Sequence, residues 1–107
     1  MSMQGIVRML LAMAAIIVLA GREEAKADAT RGRTLAEQWC SQCHGVRQPS
    51  ANSEAPPFSA IAAEPSATEY TLRTFLRVPH PTMPNFILKP DDIDDIVGYI
   101  LSLKPQK

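Results

Sequence analysis

Apolar residues recur every three or four positions in three segments of the chain, at residues 30–42, 69–78 and 90–104. This spacing places the apolar side chains of each segment on one face of a helix. No segment after residue 28 alternates β-branched and polar residues as a half-buried strand would. The pattern therefore predicts an all-α fold with three or more helices. The apolar residues of the three predicted faces are Leu35, Ala36 and Trp39; Leu72, Phe75 and Leu76; and Ile93, Ile96, Val97, Ile100 and Leu103.

Residues at the ends of these segments support the same three helices. Ser66 and Glu69 have the spacing of a capping box at the start of the second helix. Pro90 suits the first turn of the third helix because it loses no hydrogen bond there, and Pro105 ends that helix. Four aspartates near its start suit the positive end of the helix dipole, and we expect a solvated helix start rather than a docking patch. They are Asp91, Asp92, Asp94 and Asp95.

The first part of the chain is typical of an export signal. An apolar run at residues 9–20 follows Arg8 and precedes an A-x-A cleavage motif at residues 25–27. The run has 12 residues, whereas a membrane-spanning helix needs about 20, so an uncleaved anchor is the less favoured alternative. We therefore predict a cleavable signal peptide at residues 1–27, a single domain at residues 28–107 and a periplasmic location without a stable membrane anchor.

The predicted mature chain is small and almost neutral. Its 80 residues would bury only a marginal core, so another group is expected to complete the interior. It has 8 basic and 9 acidic residues, a net charge of −1, which does not favour nucleic-acid binding. Removal of the signal leaves five residues with sulfur or imidazole groups that can bind a metal: Cys40, Cys43, His44, His80 and Met83.

The stretch from Cys40 to His44 has the sequence C-x-x-C-H, which in an exported protein indicates attachment of a c-type haem. In such a motif the two thiols add to the haem vinyl groups, and the histidine that follows becomes an iron ligand. A thioredoxin-like disulfide is an alternative, but it requires a βαβ context that the sequence does not predict. A structural zinc site is another, but it would need His80 as a single distant ligand. We therefore predict one covalently bound haem c, with Cys40, Cys43 and His44 at its site.

With this motif in place, the mature chain resembles the small class I cytochromes c of bacteria over almost its whole length. The resemblance implies an all-α fold wrapped around one haem. The matching residues are Gly32; Cys40, Cys43 and His44; Pro56; Met83 and Pro84; and Ile96 and Tyr99.

Three further residue roles follow from this resemblance. Gly32 is expected to allow the first and last helices to cross closely, with Ile96 and Tyr99 packed against it. The carbonyl group of Pro56 or Pro57 is expected to accept a hydrogen bond from His44, which would orient the imidazole. Met83 is expected to be the second axial ligand of the iron.

The segment around Met83 allows one alternative for that ligand. Val78, His80 and Met83 each precede a proline, which favours an extended and restricted backbone able to hold one side chain at the iron. A thioether leaves no unsatisfied donor in an apolar pocket, whereas a ligating His80 would need a buried partner for its second nitrogen. Met83 is thus the predicted ligand and His80 is the alternative.

Together these features predict a monomeric carrier of single electrons rather than an enzyme. Two strong axial ligands would leave no open position on the iron for a substrate. Its partners would be a redox protein that donates the electron and another that accepts it. Two other functions stay open: a haem-based ligand sensor with an open or labile sixth position, and a cytochrome subunit dedicated to an oxidoreductase complex.

Overall fold

The computed structural model describes residues 2–20, 26–78 and 82–106, which form five helices and no β-strand. The predicted all-α fold is therefore confirmed. Helix α5 lies at its centre and packs against α2, α3 and α4. The helices are α1 at Met3–Ala20, α2 at Ala29–Trp39, α3 at Phe58–Ala63, α4 at Glu69–Arg77 and α5 at Pro90–Ser102.

Three details of the helices differ from the sequence prediction. Helix α2 ends at Trp39 rather than at residue 42, because the residues that follow form tight turns. Helix α3 was not predicted, since six residues are too few to show a helical period. The capping box of α4 is made by Thr68 and Thr71 instead of Ser66 and Glu69.

The core is a small cluster of side chains from α2, α3 and α5. Leu72 and Leu76 of α4 are half-buried and pack against its edge. Trp39, predicted on the buried face of α2, is 37% exposed because it is the last residue of that helix. Phe75, also predicted to be buried, is 52% exposed on α4. The buried residues of the cluster are Leu35, Ala36, Phe58, Ala62, Ile96, Tyr99 and Ile100.

Helices α2 and α5 cross at Gly32 with their backbones almost in contact. A β-carbon at Gly32 would lie 1.8 Å from the carbonyl oxygen of Asp95 and 2.9 Å from the backbone nitrogen of Ile96. The predicted close crossing is therefore present, but the nearest atoms belong to the backbone of Asp95 and Ile96 and not to Tyr99. A helix backbone cannot move aside as a flexible side chain can, so only glycine fits.

Ion pairs surround this crossing. Arg31 of α2 donates to Asp92 and Asp95 of α5, each at 2.6 Å, and both aspartates are buried. Asp94 pairs at 3.0 Å with Arg73 of α4. The prediction of a solvated aspartate run is therefore wrong for Asp92 and Asp95. Helical geometry places these two residues three positions apart on the face of α5 that meets α2.

The pKa of Asp95 reflects these contacts. Burial alone would raise it, but the hydrogen bond from the backbone N–H of Asp28 and the guanidinium of Arg31 together hold it below its ordinary value. A carboxyl group whose pKa is lowered by folding stabilises the fold above its unfolded pKa and loses that contribution as the pH falls.

Helix α1 contacts none of the other four helices in the described part of the chain. The side chains described for it, at residues 3–13, are exposed. Among the described residues, no helix has the length and apolarity needed to cross a membrane. Ala25, the first alanine of the predicted cleavage motif, lies outside the described residues.

We expect Gly32→Ala to destabilise the protein by about 3 kcal/mol, because the new methyl group would overlap the α5 backbone. Thermal or denaturant unfolding of the protein lacking residues 1–27 measures this effect. Gly98→Ala is the matched control on α5, since the described atoms near a β-carbon there belong to Ala27 alone, a residue that this shortened protein lacks. The control should be neutral or stabilising by up to about 1 kcal/mol. Equal effects of the two substitutions would contradict the proposed role of the crossing.

We expect the free energy of unfolding to fall as the pH drops below about 4, because protonation of Asp95 breaks its contacts with Arg31 and Asp28. Arg31→Met should lower stability at neutral pH and reduce the further loss between about pH 5 and 3. Denaturant titrations at several pH values measure both effects. Arg33→Met is the control, since Arg33 forms only a partly exposed pair with Glu37. An unchanged acid profile in Arg31→Met would contradict this assignment.

Candidate functional site

The C-x-x-C-H motif forms a single tight turn at the end of α2. The backbone N–H of Cys40 still donates to Ala36, which continues the helical pattern by one residue. The N–H groups of Cys43 and His44 then both donate to the carbonyl oxygen of Cys40, at 3.2 and 2.9 Å. The two thiols and the imidazole are therefore held within one turn of chain.

The two cysteines are half-buried and are not joined by a disulfide. Burial raises the pKa of the Cys40 thiol to about 11. A redox-active cysteine of the thioredoxin type has a lowered pKa, because its thiolate is the reactive form. The environment of Cys40 thus does not favour a redox disulfide, and both thiols are available for thioether bonds.

The imidazole of His44 is fixed by two contacts. Its Nδ1 lies 2.7 Å from the carbonyl oxygen of Pro56, and its ring stacks on Phe58 with centroids 5.3 Å apart and planes 18° apart. A carbonyl oxygen can only accept a hydrogen bond, so Nδ1 carries the proton. The lone pair therefore lies on Nε2, which is the nitrogen left to bind a metal.

The loop after the motif is held in a compact shape at Gly45. The N–H of Gly45 donates to the Ser50 hydroxyl, and its carbonyl oxygen accepts from the N–H of Phe58, both at 2.9 Å. A β-carbon at Gly45 would lie 1.9 Å from the carbonyl oxygen of Gln48. Glycine is therefore required here, and the loop returns the chain so that Pro56 and Phe58 reach His44.

Helix α5 contacts the loop that follows the motif through Tyr99. The hydroxyl of Tyr99 donates to the carbonyl oxygen of Val46 at 3.3 Å. The ring of Tyr99 also meets Phe58 edge to face, with centroids 6.3 Å apart. Tyr99, Phe58 and His44 thus form a continuous chain of aromatic contacts from the core to the candidate ligand.

An apolar cleft of about 320 Å³ lies along the face of α4 opposite the core. Leu72 and Leu76 pack against the core, whereas Phe75 and Val78 line the cleft together with residues 70, 71 and 74. Helix α4 therefore has apolar residues on two faces, one toward the core and one toward the cleft.

Met83 lies half-buried in the irregular segment that leads into α5. Among the hydrogen bonds, ring contacts and core packing of the described residues, none joins Met83 to the C-x-x-C-H motif. His80, the alternative ligand, lies outside the described residues. The structure thus brings together Cys40, Cys43, His44 and Pro56, while the position of Met83 at the iron stays a prediction.

The donor set of this site fits a covalently bound haem: two free thiols and an imidazole whose Nε2 lone pair is available. Residues 27–100 match the sequence family described as cytochrome c oxidase, cbb3-type, subunit III. The chain is a member of this cytochrome c family. It is also 42% identical over 81 residues to cytochrome c-552 of Bradyrhizobium diazoefficiens, an alignment that covers 74% of this chain and 78% of that protein. No solved structure matches the chain.

These matches confirm the prediction of a small monohaem class I cytochrome c with covalently bound haem c. The alternatives of a thioredoxin-like disulfide and a structural zinc site are thereby set aside. Cytochromes of this family carry electrons between redox partners, and they are typically exported proteins. Attachment of the haem of this cytochrome through Cys40 and Cys43 remains a prediction, as does ligation by His44 and Met83.

Two residues that support the candidate ligand His44 were not predicted from the sequence. Phe58 stacks on His44 and begins α3, and the Ser50 hydroxyl accepts a hydrogen bond from the backbone N–H of Gly45. A signal for Phe58 is present in the sequence, since an aromatic residue directly after two prolines is placed by a restricted backbone. Ser50 has no such signal, because its role depends on the fold of the loop.

We expect haem to remain with the purified cytochrome through extraction with acidified acetone, because thioether bonds are not broken by this solvent. Replacement of both cysteines, Cys40→Ala with Cys43→Ala, should abolish this retention. Absorbance of the protein pellet and the acetone phase measures it. Ser41→Ala is the control, since Ser41 is an exposed residue between the two cysteines. Extraction of haem from the unmutated protein would contradict the assignment of these cysteines.

Proposed function

We propose that this cytochrome is a periplasmic carrier of single electrons whose haem iron is held by His44 and Met83. The observation that carries the proposal is the hydrogen bond between His44 Nδ1 and the Pro56 carbonyl, which leaves Nε2 as the donor atom. This bond also strengthens Nε2 as a ligand, since it increases the electron density of the imidazole.

Bound haem supplies an iron that alternates between the ferrous and ferric states. The chain's own contribution is to hold the ligands and to limit access of water. Phe58 and Tyr99 provide apolar contacts behind His44, and low polarity around the iron disfavours the added positive charge of the ferric state. We propose no enzymatic activity, because two protein ligands leave no position on the iron for a substrate.

Two properties of the sequence support Met83 as the sixth ligand. It is the only methionine after residue 28, and the following Pro84 restricts the backbone beside it. Its half-buried position in the segment before α5 is compatible with this role. A thioether ligand also gives a higher reduction potential than a second imidazole, which suits a carrier that accepts electrons readily.

We propose that residues 1–27 are an export signal that is removed from the mature protein. Helix α1 is rich in apolar residues, yet it contacts none of the other described helices. Its removal would thus leave the packing among α2 to α5 intact. The mature protein is proposed to act as a monomer between a redox protein that donates an electron and one that accepts it.

A cytochrome subunit of an oxidoreductase complex is the second candidate function. The description of the matching family names a subunit of an oxidase, which favours this candidate over a ligand sensor. Purification from the periplasmic fraction distinguishes a free carrier from a permanent subunit. A free carrier elutes alone, whereas a permanent subunit elutes with larger proteins in a fixed ratio.

We expect Met83→Ala to open the iron to carbon monoxide, to lower the reduction potential and to remove the ferric sulfur-to-iron charge-transfer band. Each effect follows from loss of the thioether ligand. Visible spectra of the reduced and oxidised protein, with and without carbon monoxide, measure them.

His80→Ala is the matched control, and it should leave the charge-transfer band in place. The opposite result, an open iron in His80→Ala and little change in Met83→Ala, would assign the sixth position to His80. Binding of carbon monoxide to the unmutated ferrous protein would favour the sensor function instead.

A further inference from the structure

Three carboxylates and one guanidinium meet where α2 crosses α5. Arg31 pairs with Asp92 and Asp95 at 2.6 Å each, and its backbone N–H donates to the Asp28 carboxylate at 3.0 Å. Asp92 and Asp95 are buried. With all four groups ionised the cluster has a charge of −2. Buried carboxylates are costly unless they are paired, so a second cation here would stabilise the fold.

The backbone nitrogen of Asp28 lies where such a cation would act. Its N–H donates to Oδ1 of Asp95 at 2.8 Å, while Arg31 occupies Oδ2 of the same carboxylate. In the uncleaved chain this nitrogen is a neutral amide. Asp28 is also the first residue after the predicted A-x-A cleavage motif.

We propose that Asp95 binds the terminal ammonium group of Asp28 that is created when the leader is removed, so that export processing adds an ion pair to the α2–α5 crossing. This inference rests on the proposed export signal and its cleavage after Ala27. In that step a leader peptidase hydrolyses the Ala27–Asp28 bond. Water supplies the oxygen of the Ala27 carboxylate, and the Asp28 nitrogen becomes an amine that takes up a proton.

The nitrogen need not move for this change, because it already lies within hydrogen-bond distance of the acceptor. The charge of the cluster changes from −2 to −1. The bond to Asp95 then becomes charge-assisted, which makes it stronger than a bond from a neutral amide. Lys26, the nearest cation on the amino-terminal side, leaves with the leader.

The charged groups around this nitrogen determine how it titrates. Asp95 and Asp92 of α5 and the side chain of Asp28 favour the ammonium form, whereas Arg31 and the positive end of the α2 dipole oppose it. On the other side of α5, Asp94 is already paired with Arg73 of α4. The nearest carboxylate therefore dominates, and the pKa of the terminal amine should rise above its usual value of about 7.7.

The direction of the pH effect follows from this raised pKa. A group with a higher pKa in the folded state stabilises the fold fully below its unfolded pKa. Its contribution is lost as the pH rises through the folded value. The mature protein should thus lose stability in the alkaline range above about pH 8, in a step separate from the acid loss assigned to Asp95.

The test uses the mature holoprotein purified from the periplasm. Mass spectrometry should show that it begins at Asp28, and an NMR titration of the Asp28 Hα should give an amine pKa about one unit above the usual value. Asp95→Asn should return the pKa to about 7.7. Asp91→Asn is the matched control, since Asp91 is exposed on the same helix, and it should leave the raised pKa in place.

A second variant covers the case in which Asp95→Asn does not fold. Insertion of Gly-Ser between Ala27 and Asp28 keeps the Asp28 nitrogen as an amide after cleavage and moves the ammonium away. This variant should lack the loss of stability above about pH 8 that is expected of the normal mature protein.

Each result has a distinct meaning. A mature protein that begins at another residue would overturn both this inference and the proposed leader boundary. A protein that begins at Asp28 with an ordinary amine pKa, or with the same alkaline profile as the Gly-Ser variant, would overturn the ion pair alone. Export and cleavage would then still stand.

Discussion

The close contact between Gly32 and the backbone of α5 is the constraint on which the remaining structure depends. It allows the backbones of α2 and α5 to approach this closely, and the haem motif begins directly after the last residue of α2. The position of α2 therefore decides where the motif lies. The same helix α5 holds the next loop through Tyr99. A single crossing thus sets the position of the candidate ligand from both sides.

The interior around this crossing contains few apolar side chains. The buried cluster is small and lies between α2, α3 and α5. Helix α4 contributes Leu72 and Leu76 to its edge, but Phe75 and Val78 line a cleft on the other side. Since the chain belongs to a family with covalently bound haem, a bound haem would supply apolar contacts that a short polypeptide lacks. Haem would then contribute to folding as well as to electron transfer.

The sequence predicted those features that depend on neighbouring residues and missed those that depend on distant ones. Helices α2, α4 and α5 and the C-x-x-C-H motif were recognisable because spacing along the chain carries them. The burial of Asp92 and Asp95 was not recognisable from the sequence, since their partner Arg31 is 61 and 64 residues away. Likewise, Phe58 was not predicted to stack on His44, because a loop of unpredicted shape brings them together.

The two contacts of His44 have a consequence for the speed of electron exchange. The Pro56 carbonyl prevents rotation of the ring about its own axis, and the stacked ring of Phe58 limits its tilt. If His44 is the iron ligand, as proposed, an imidazole held in this way would shift little when the charge of the metal changes. Little of the surrounding structure would then have to rearrange for each electron that arrives or leaves, which would keep the reorganisation energy small. The stiffness of one proline-rich loop, and not of the helices alone, thereby favours rapid exchange with successive partners.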